Sequence, residues 1–186
     1  TVNQESEKLS EEQGQLFHHI TAKLLFLCKR GRPNIQTAIA FLSTRVKEPD
    51  DDDWKKLCRV MSYLHSTPDL VLRLSANDPL VIKWWIDGSF AVHHDMKSHT
   101  GGTMSIGTGA AYSTSTRQKL NTKSSTEAEL VAVDDVLGQV LWTQYFMKDQ
   151  GYDIGPTKVY QDNQSAMLLE SNGLASSSKR TRHIQI

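Results

Sequence analysis

Apolar residues recur every three to four positions through Leu16, Ile20, Leu24 and Leu27, the period of a helix with one buried face. The run Lys29-Arg30-Gly31-Arg32-Pro33-Asn34 interrupts the pattern: glycine closes one helix and proline opens the next. Ile35, Ile39, Leu42 and Val46 mark a second helix. Trp54, Leu57, Val60, Met61 and Leu64 mark a third, which stops before Thr67-Pro68. A polar, acid-rich approach precedes these helices, from Thr1 to Gln15, and the charged loop from Lys47 to Asp53 separates the last two. The opening stretch is therefore predicted to be all helical, and nothing in it points to chemistry.

The period then changes. Leu80 to Ile86 is an apolar, β-branched and aromatic run of strand length. Gly101 to Gly107 and Ala110 to Ser115 predict two further short strands, with Thr108-Gly109 as the tight turn between them. A long helix is predicted over about Thr126 to Gln150, with Gly151 as its cap and Pro156 beyond it. A short strand, Thr157 to Gln161, and a short helix, Gln164 to Glu170, follow. This order predicts an α/β fold: three antiparallel strands plus a parallel strand joined by crossover, flanked by helices and preceded by the helical segment.

Composition narrows the function classes. The chain has 186 residues, enough for one large or two small domains, and 21 Lys+Arg balance 21 Asp+Glu. A neutral chain is not built to coat nucleic acid without specificity, although a local basic patch is compatible with it. Cys28 and Cys58 lie far apart without metal-ligand spacing, so reduced thiols are expected. No apolar run is long enough to span a bilayer, and no secretory signal is visible at the start.

Candidate chemistry sits on three carboxylates. Asp87 falls at the predicted end of the first strand, before Gly88. On the long helix, Glu129 shares a face with Val133, Val136, Leu137 and Val140, the face that must pack on the sheet. Glu127 shares the more polar face of Asp134, Asp135 and Gly138. Asp162 follows the last short strand and precedes a helix. Each has a plainer alternative: a turn residue for Asp87, a Thr126-x-x-Glu129 capping box for Glu129, and a helix N-cap for Asp162. Taken together, three converging carboxylates repel unless cations neutralise them, and Mg²⁺ or Mn²⁺ with oxygen ligands suits such a set. Two such ions can activate a water and stabilise the leaving oxygen of a phosphodiester.

Trp85-Ile86-Asp87-Gly88-Ser89, Ser124-Ser125-Thr126-Glu127-Ala128-Glu129 and Gln161-Asp162-Asn163-Gln164-Ser165-Ala166 closely resemble the ribonuclease H domain of Ty1/copia-type retrotransposon polyproteins. Upstream, Arg32-Pro33-Asn34-Ile35 and the run from Arg59 to Thr67 resemble the end of the reverse transcriptase in the same polyproteins. The resemblance covers the chain from about Leu16 onward. It implies a helical end of the reverse transcriptase over residues 1–77 and a ribonuclease H-like domain over residues 78–186, with a C-terminal part missing.

It also implies a metal-dependent endonuclease that cleaves the RNA strand of RNA–DNA hybrids during reverse transcription. The alternative is a catalytically incomplete module that binds nucleic acid or serves structure. Asp87, Glu129 and Asp162 would be both catalytic residues and metal ligands, for Mg²⁺ or Mn²⁺ as a pair of ions. Lys179, Arg180, Arg182 and Ser89 are candidate nucleic-acid contacts, and His183 a candidate for proton transfer. The implied partners are the hybrid and the rest of the polyprotein, with no membrane. A sheet edge left bare by the missing part would favour homo-oligomers. The implied location is a cytoplasmic virus-like particle or the nucleus. Two positions depart from the family pattern: Ser89 and Gln185 stand where an acid is common. His18-His19 and His93-His94 are read as surface pairs, and Trp84, Trp142 and Tyr145 as core.

Overall fold

A computed structural model describes residues 5–77 and 80–172. The chain divides into two compact units, Thr1–Leu72 and Arg73–Ile186. In the first, α1 (Glu11–Arg30), a 3₁₀ turn (Pro33–Ile35), α2 (Gln36–Ser43) and α3 (Asp51–Ser66) follow the predicted helical order. α1 begins further upstream than its apolar period because Ser10 caps it, accepting a hydrogen bond from the Gln13 amide. Glu11 and Glu12 lie in its first turn and Lys29 and Arg30 in its last, both favourable to the helix dipole. Phe17, Leu24, Cys28, Ile35, Ile39, Leu42 and Leu57 form the core of this unit.

Two arginines tie the helices together. Arg32 donates to the Thr67 main-chain oxygen at 2.9 Å and to Thr67 Oγ1 at 2.6 Å, anchoring the α1–α2 connection to the end of α3. Arg45 meets Asp53 at 2.8 Å and Asp50 at 3.1 Å. The same two aspartates form the reciprocal capping box that starts α3.

The second unit is a mixed sheet with helices. Its strands β2 (Lys83–Ser89), β3 (His99–Ser105), β5 (Tyr112–Arg117) and β6 (Lys158–Tyr160) lie in the order β5-β3-β2-β6. β2–β3 and β3–β5 are antiparallel and β2–β6 is parallel, as expected of three sequential strands and a crossover. The long helix α4 (Ser125–Asp149) makes that crossover, and α5 (Gln164–Asn172) follows β6. Ile82, Trp84 and Ile86 pack against Ala132, Val133, Val136 and Val140 of α4.

Three expectations change. β2 runs on to Ser89, so Asp87 lies inside the strand and not at its end, pairing with Gly101. Thr108 is not a turn residue: β1 (Ser75–Ala76) pairs with β4 (Gly107–Thr108) in a separate two-stranded ribbon. Gly109, at φ +76°, makes the turn that follows. Trp84 is fully buried as expected, but Trp142 and Tyr145 are exposed. The sheet covers one side of α4, and Ala166 of α5 covers Leu130 and Val131 near its start. Further along α4, Leu141, Trp142, Tyr145 and Phe146 are exposed. No helix among the described residues is long and apolar enough to cross a membrane.

Candidate metal centre

The site is assembled where β2, the first turn of α4 and the end of β6 meet. Ser124 caps α4, accepting from the Glu127 amide at 3.1 Å, and Glu127 in return accepts from the Lys123 amide. With the capping done by that pair, Glu129 is not used in a Thr126 box. Its carboxylate reaches across to β2, where the Gly88 amide donates to Glu129 Oε2 at 2.8 Å. Gln161 Nε2, at the end of β6, approaches the same oxygen at 3.4 Å and the Glu129 main-chain oxygen at 3.2 Å. The cap of α5 falls to Asn163, whose Oδ1 accepts from the Ala166 amide at 3.0 Å, so the plainer role foreseen for Asp162 is taken by its neighbour.

Asp87, Glu129 and Asp162 each offer a carboxylate oxygen, and these atoms all lie within 4.8 Å of one another. Glu129 is buried, while Asp87 and Asp162 open to solvent. This all-oxygen, anionic set can hold a metal ion, and its donor chemistry fits a hard divalent cation better than one that prefers nitrogen or sulfur. Burial pushes the Glu129 carboxyl above the usual glutamate range, and the negative charges of Asp87 and Asp162 add to the rise. The Gly88 and Gln161 hydrogen bonds oppose it.

That rise carries a sign for stability. The folded chain holds the Glu129 proton to higher pH than the unfolded chain does. The fold therefore loses stability as pH climbs from the ordinary glutamate value of 4.5 through the raised one. Glu129→Gln is expected to become more stable than the parent in metal-free buffer as pH climbs above 4.5, the gap widening until the raised value is passed and then holding constant. Saturating Mn²⁺ should close it, since a ligand at about 100 times its dissociation constant stabilises by about 2.7 kcal/mol. Thermal melts across pH, with and without Mn²⁺, test both halves; a gap that stays constant as pH climbs from 4.5 through neutrality would contradict the assignment.

Gly88 is where strand and helix touch. A Cβ at this position would lie 2.6 Å from the Ala128 oxygen and 2.9 Å from the Glu129 nitrogen, both main-chain atoms. Gly88→Ala must displace α4 from β2, and overpacking of this kind costs about 1–3 kcal/mol. Denaturant unfolding measures that cost, and the expected loss of divalent-ion binding would accompany it. An unchanged midpoint would mean the contact is looser than described.

The chain is 28% identical over 181 residues, 95% of its length, to the Pol polyprotein from transposon TNT 1-94 of Nicotiana tabacum. It is 31% identical over 157 residues, 83% of its length, to the Pol polyprotein from transposon RE2 of Arabidopsis thaliana. A putative transposon Ty5-1 protein of Saccharomyces cerevisiae matches 67% of the chain and 41% of its own length at 27% identity. Over most of its length the chain is similar to the Pol polyproteins of Ty1/copia-type retrotransposons. It spans 13% of the tobacco relative and 11% of the Arabidopsis one. No protein-family model matches it, and no solved structure does.

Ser89 is exposed on β2, two residues beyond Asp87 on the same strand face. Lys179, Arg180, Arg182 and His183 lie outside the described residues, as does Gln185. His93 is not a bare surface residue: its Nε2 lies 3.0 Å from His99 Nδ1, and His99 Nε2 lies 2.7 Å from Ser115 Oγ. Burial lowers the pKa of both imidazoles. Glu129's tie to Gly88 and the contacts of Gln161 were not foreseen. Both are long-range hydrogen bonds, and neither periodicity nor capping rules signal those.

Proposed function

We propose that this chain carries a ribonuclease H-like centre that cleaves the RNA strand of an RNA–DNA hybrid with a divalent cation. The observation that supports it is the convergence of Asp87, Glu129 and Asp162 from strand, helix start and strand end, with oxygens within 4.8 Å. The strand order β5-β3-β2-β6, with its single parallel pair, supports the fold half of the proposal. When bound, Mg²⁺ or Mn²⁺ supplies a polarised water and charge stabilisation at the scissile phosphate. The chain's own residues do the rest. Asp87 and Asp162 are the solvent-facing ligands, and Glu129 is the buried one held from β2 and β6. Ser89 lies beside Asp87 for contact with the hybrid. Lys179, Arg180 and Arg182 serve as phosphate contacts, and His183 as a proton donor to the departing oxygen.

The test is a labelled RNA–DNA hybrid incubated with the chain and Mg²⁺, Mn²⁺ or chelator. Cutting confined to the RNA strand and to the metal-containing reactions is expected. Binding of the hybrid without cutting in either metal would overturn the enzymatic reading in favour of a catalytically incomplete module.

A further inference from the structure

Two glutamines reach the first turn of α4 from strands at opposite edges of the sheet. Gln118 follows β5 and is 1% exposed. Its Nε2 donates to the Ala128 main-chain oxygen at 2.8 Å and to Thr100 Oγ1 at 3.1 Å. Gln161 follows β6, and its Nε2 donates to the next carbonyl in the helix, that of Glu129, at 3.2 Å. The two carbonyls flank the Glu129 residue on its N-terminal and C-terminal sides. The second contact of Gln161, to Glu129 Oε2, joins that of the Gly88 amide on the same oxygen.

The orientation of both amides is set by their partners. If either flipped, its oxygen would face a main-chain oxygen, acceptor against acceptor. Thr100 gives no relief, because its hydroxyl donates to Asp135 Oδ2 at 2.8 Å. The far end of each amide is the informative part. Among the described residues, Gln118 Oε1 and Gln161 Oε1 are both buried with no hydrogen-bond partner. A buried oxygen without a donor costs the fold free energy, and an apolar side chain of equal length would avoid that cost. Stability alone therefore does not account for glutamine at either position, whereas the donors at the other end hold the two carbonyls that flank Glu129.

We infer that Gln118 and Gln161 are positioning residues for Glu129. They fix the main chain on either side of it, and Gln161 with Gly88 occupies Oε2, leaving Oε1 as the oxygen presented to a cation. The inference rests on the metal-centre reading above. Partners of metal ligands typically change metal affinity 10- to 100-fold when removed.

Gln118→Met and Gln161→Met keep side-chain length and remove the donors. The experiment titrates Mn²⁺ alone into the parent chain, each variant and the double variant, reading free Mn²⁺ by electron paramagnetic resonance. Thermal midpoints are recorded in metal-free buffer alongside. Each single variant is expected to raise the Mn²⁺ dissociation constant about tenfold, and the bound-ion spectrum should broaden as the site loosens. A role confined to the fold would move the metal-free midpoint and leave the dissociation constant and the spectrum unchanged; that result overturns the inference and spares the metal centre. Absence of Mn²⁺ binding by the parent chain overturns both. If Gln118→Met does not fold, Gln161→Met, at a partly exposed position, decides by the same criterion.

Discussion

Asp162→Asn is expected to lower metal-dependent cutting of the RNA strand about a thousandfold at saturating hybrid, an effect of about 4 kcal/mol on the barrier. Asparagine keeps the size of the side chain and removes its charge. Asp162 is exposed at the end of β6, and α5 keeps its own cap through Asn163, so the fold has no reason to change. What is lost is one of the three carboxylates of the proposed centre. Loss of that charge also relaxes Glu129, whose carboxyl should move back toward the ordinary glutamate range, because Asp162 is one of the charges raising it. Hybrid affinity, which the proposal assigns to phosphate contacts elsewhere, should hold. Steady-state kinetics that separate kcat from KM decide the matter. A loss smaller than tenfold in kcat would remove Asp162 from the centre.

Arg45→Met is expected to cost the helical unit about 3–5 kcal/mol, the usual result of removing one partner from a buried ion pair. Arg45 bridges two carboxylates at once, and Asp50 and Asp53 are almost fully buried, at 3% and 1% exposed. Burial alone would lower the Arg45 pKa, but the hydrogen bond and charge of Asp53, helped by Asp50, outweigh it and leave it raised. Without the guanidinium, two anions face each other at the start of α3. Adding Asp50→Asn should recover a large part of the loss, since asparagine is a good N-cap and carries no charge. Urea unfolding followed through the ¹⁹F resonance of Trp54, the sole tryptophan of this unit, in 5-fluorotryptophan-labelled chain isolates the effect. A cost below 1 kcal/mol would show that the carboxylates find other partners.

The parts of this molecule that a reader of the sequence can foresee are those set by neighbours in the chain. Period-3.6 patterning, Gly31 and Pro33 outline α1 to α3, and Gly151 marks the end of α4. Alternation correctly places Trp84 and Ile86 on the covered face of β2. Helical phase correctly separates buried Glu129 from the more accessible Glu127. What escapes such rules depends on distant partners. β2 outlasts its apolar run because the ladder to β3 continues past Gly88, where the helix also presses. Thr108 looks like a turn residue until Ser75 pairs with it. Trp142 and Tyr145 have the composition of a core, but whether a helix face is covered is decided by elements that the helix itself does not encode.

The parallel pairing of Lys83 with Lys158 has a kinetic consequence. β2, β3 and β5 are sequential antiparallel strands and can zip together through short connections, whereas β6 returns to β2 only after the whole of α4 has been laid down. Closing that long excursion carries the larger loop entropy, so the parallel edge is expected to dock last. Asp162 travels with it. Asp162 is thus kept apart from Asp87 and Glu129 through most of folding, and the full repulsion of the three carboxylates is met only when the rest of the framework is already in place to hold them.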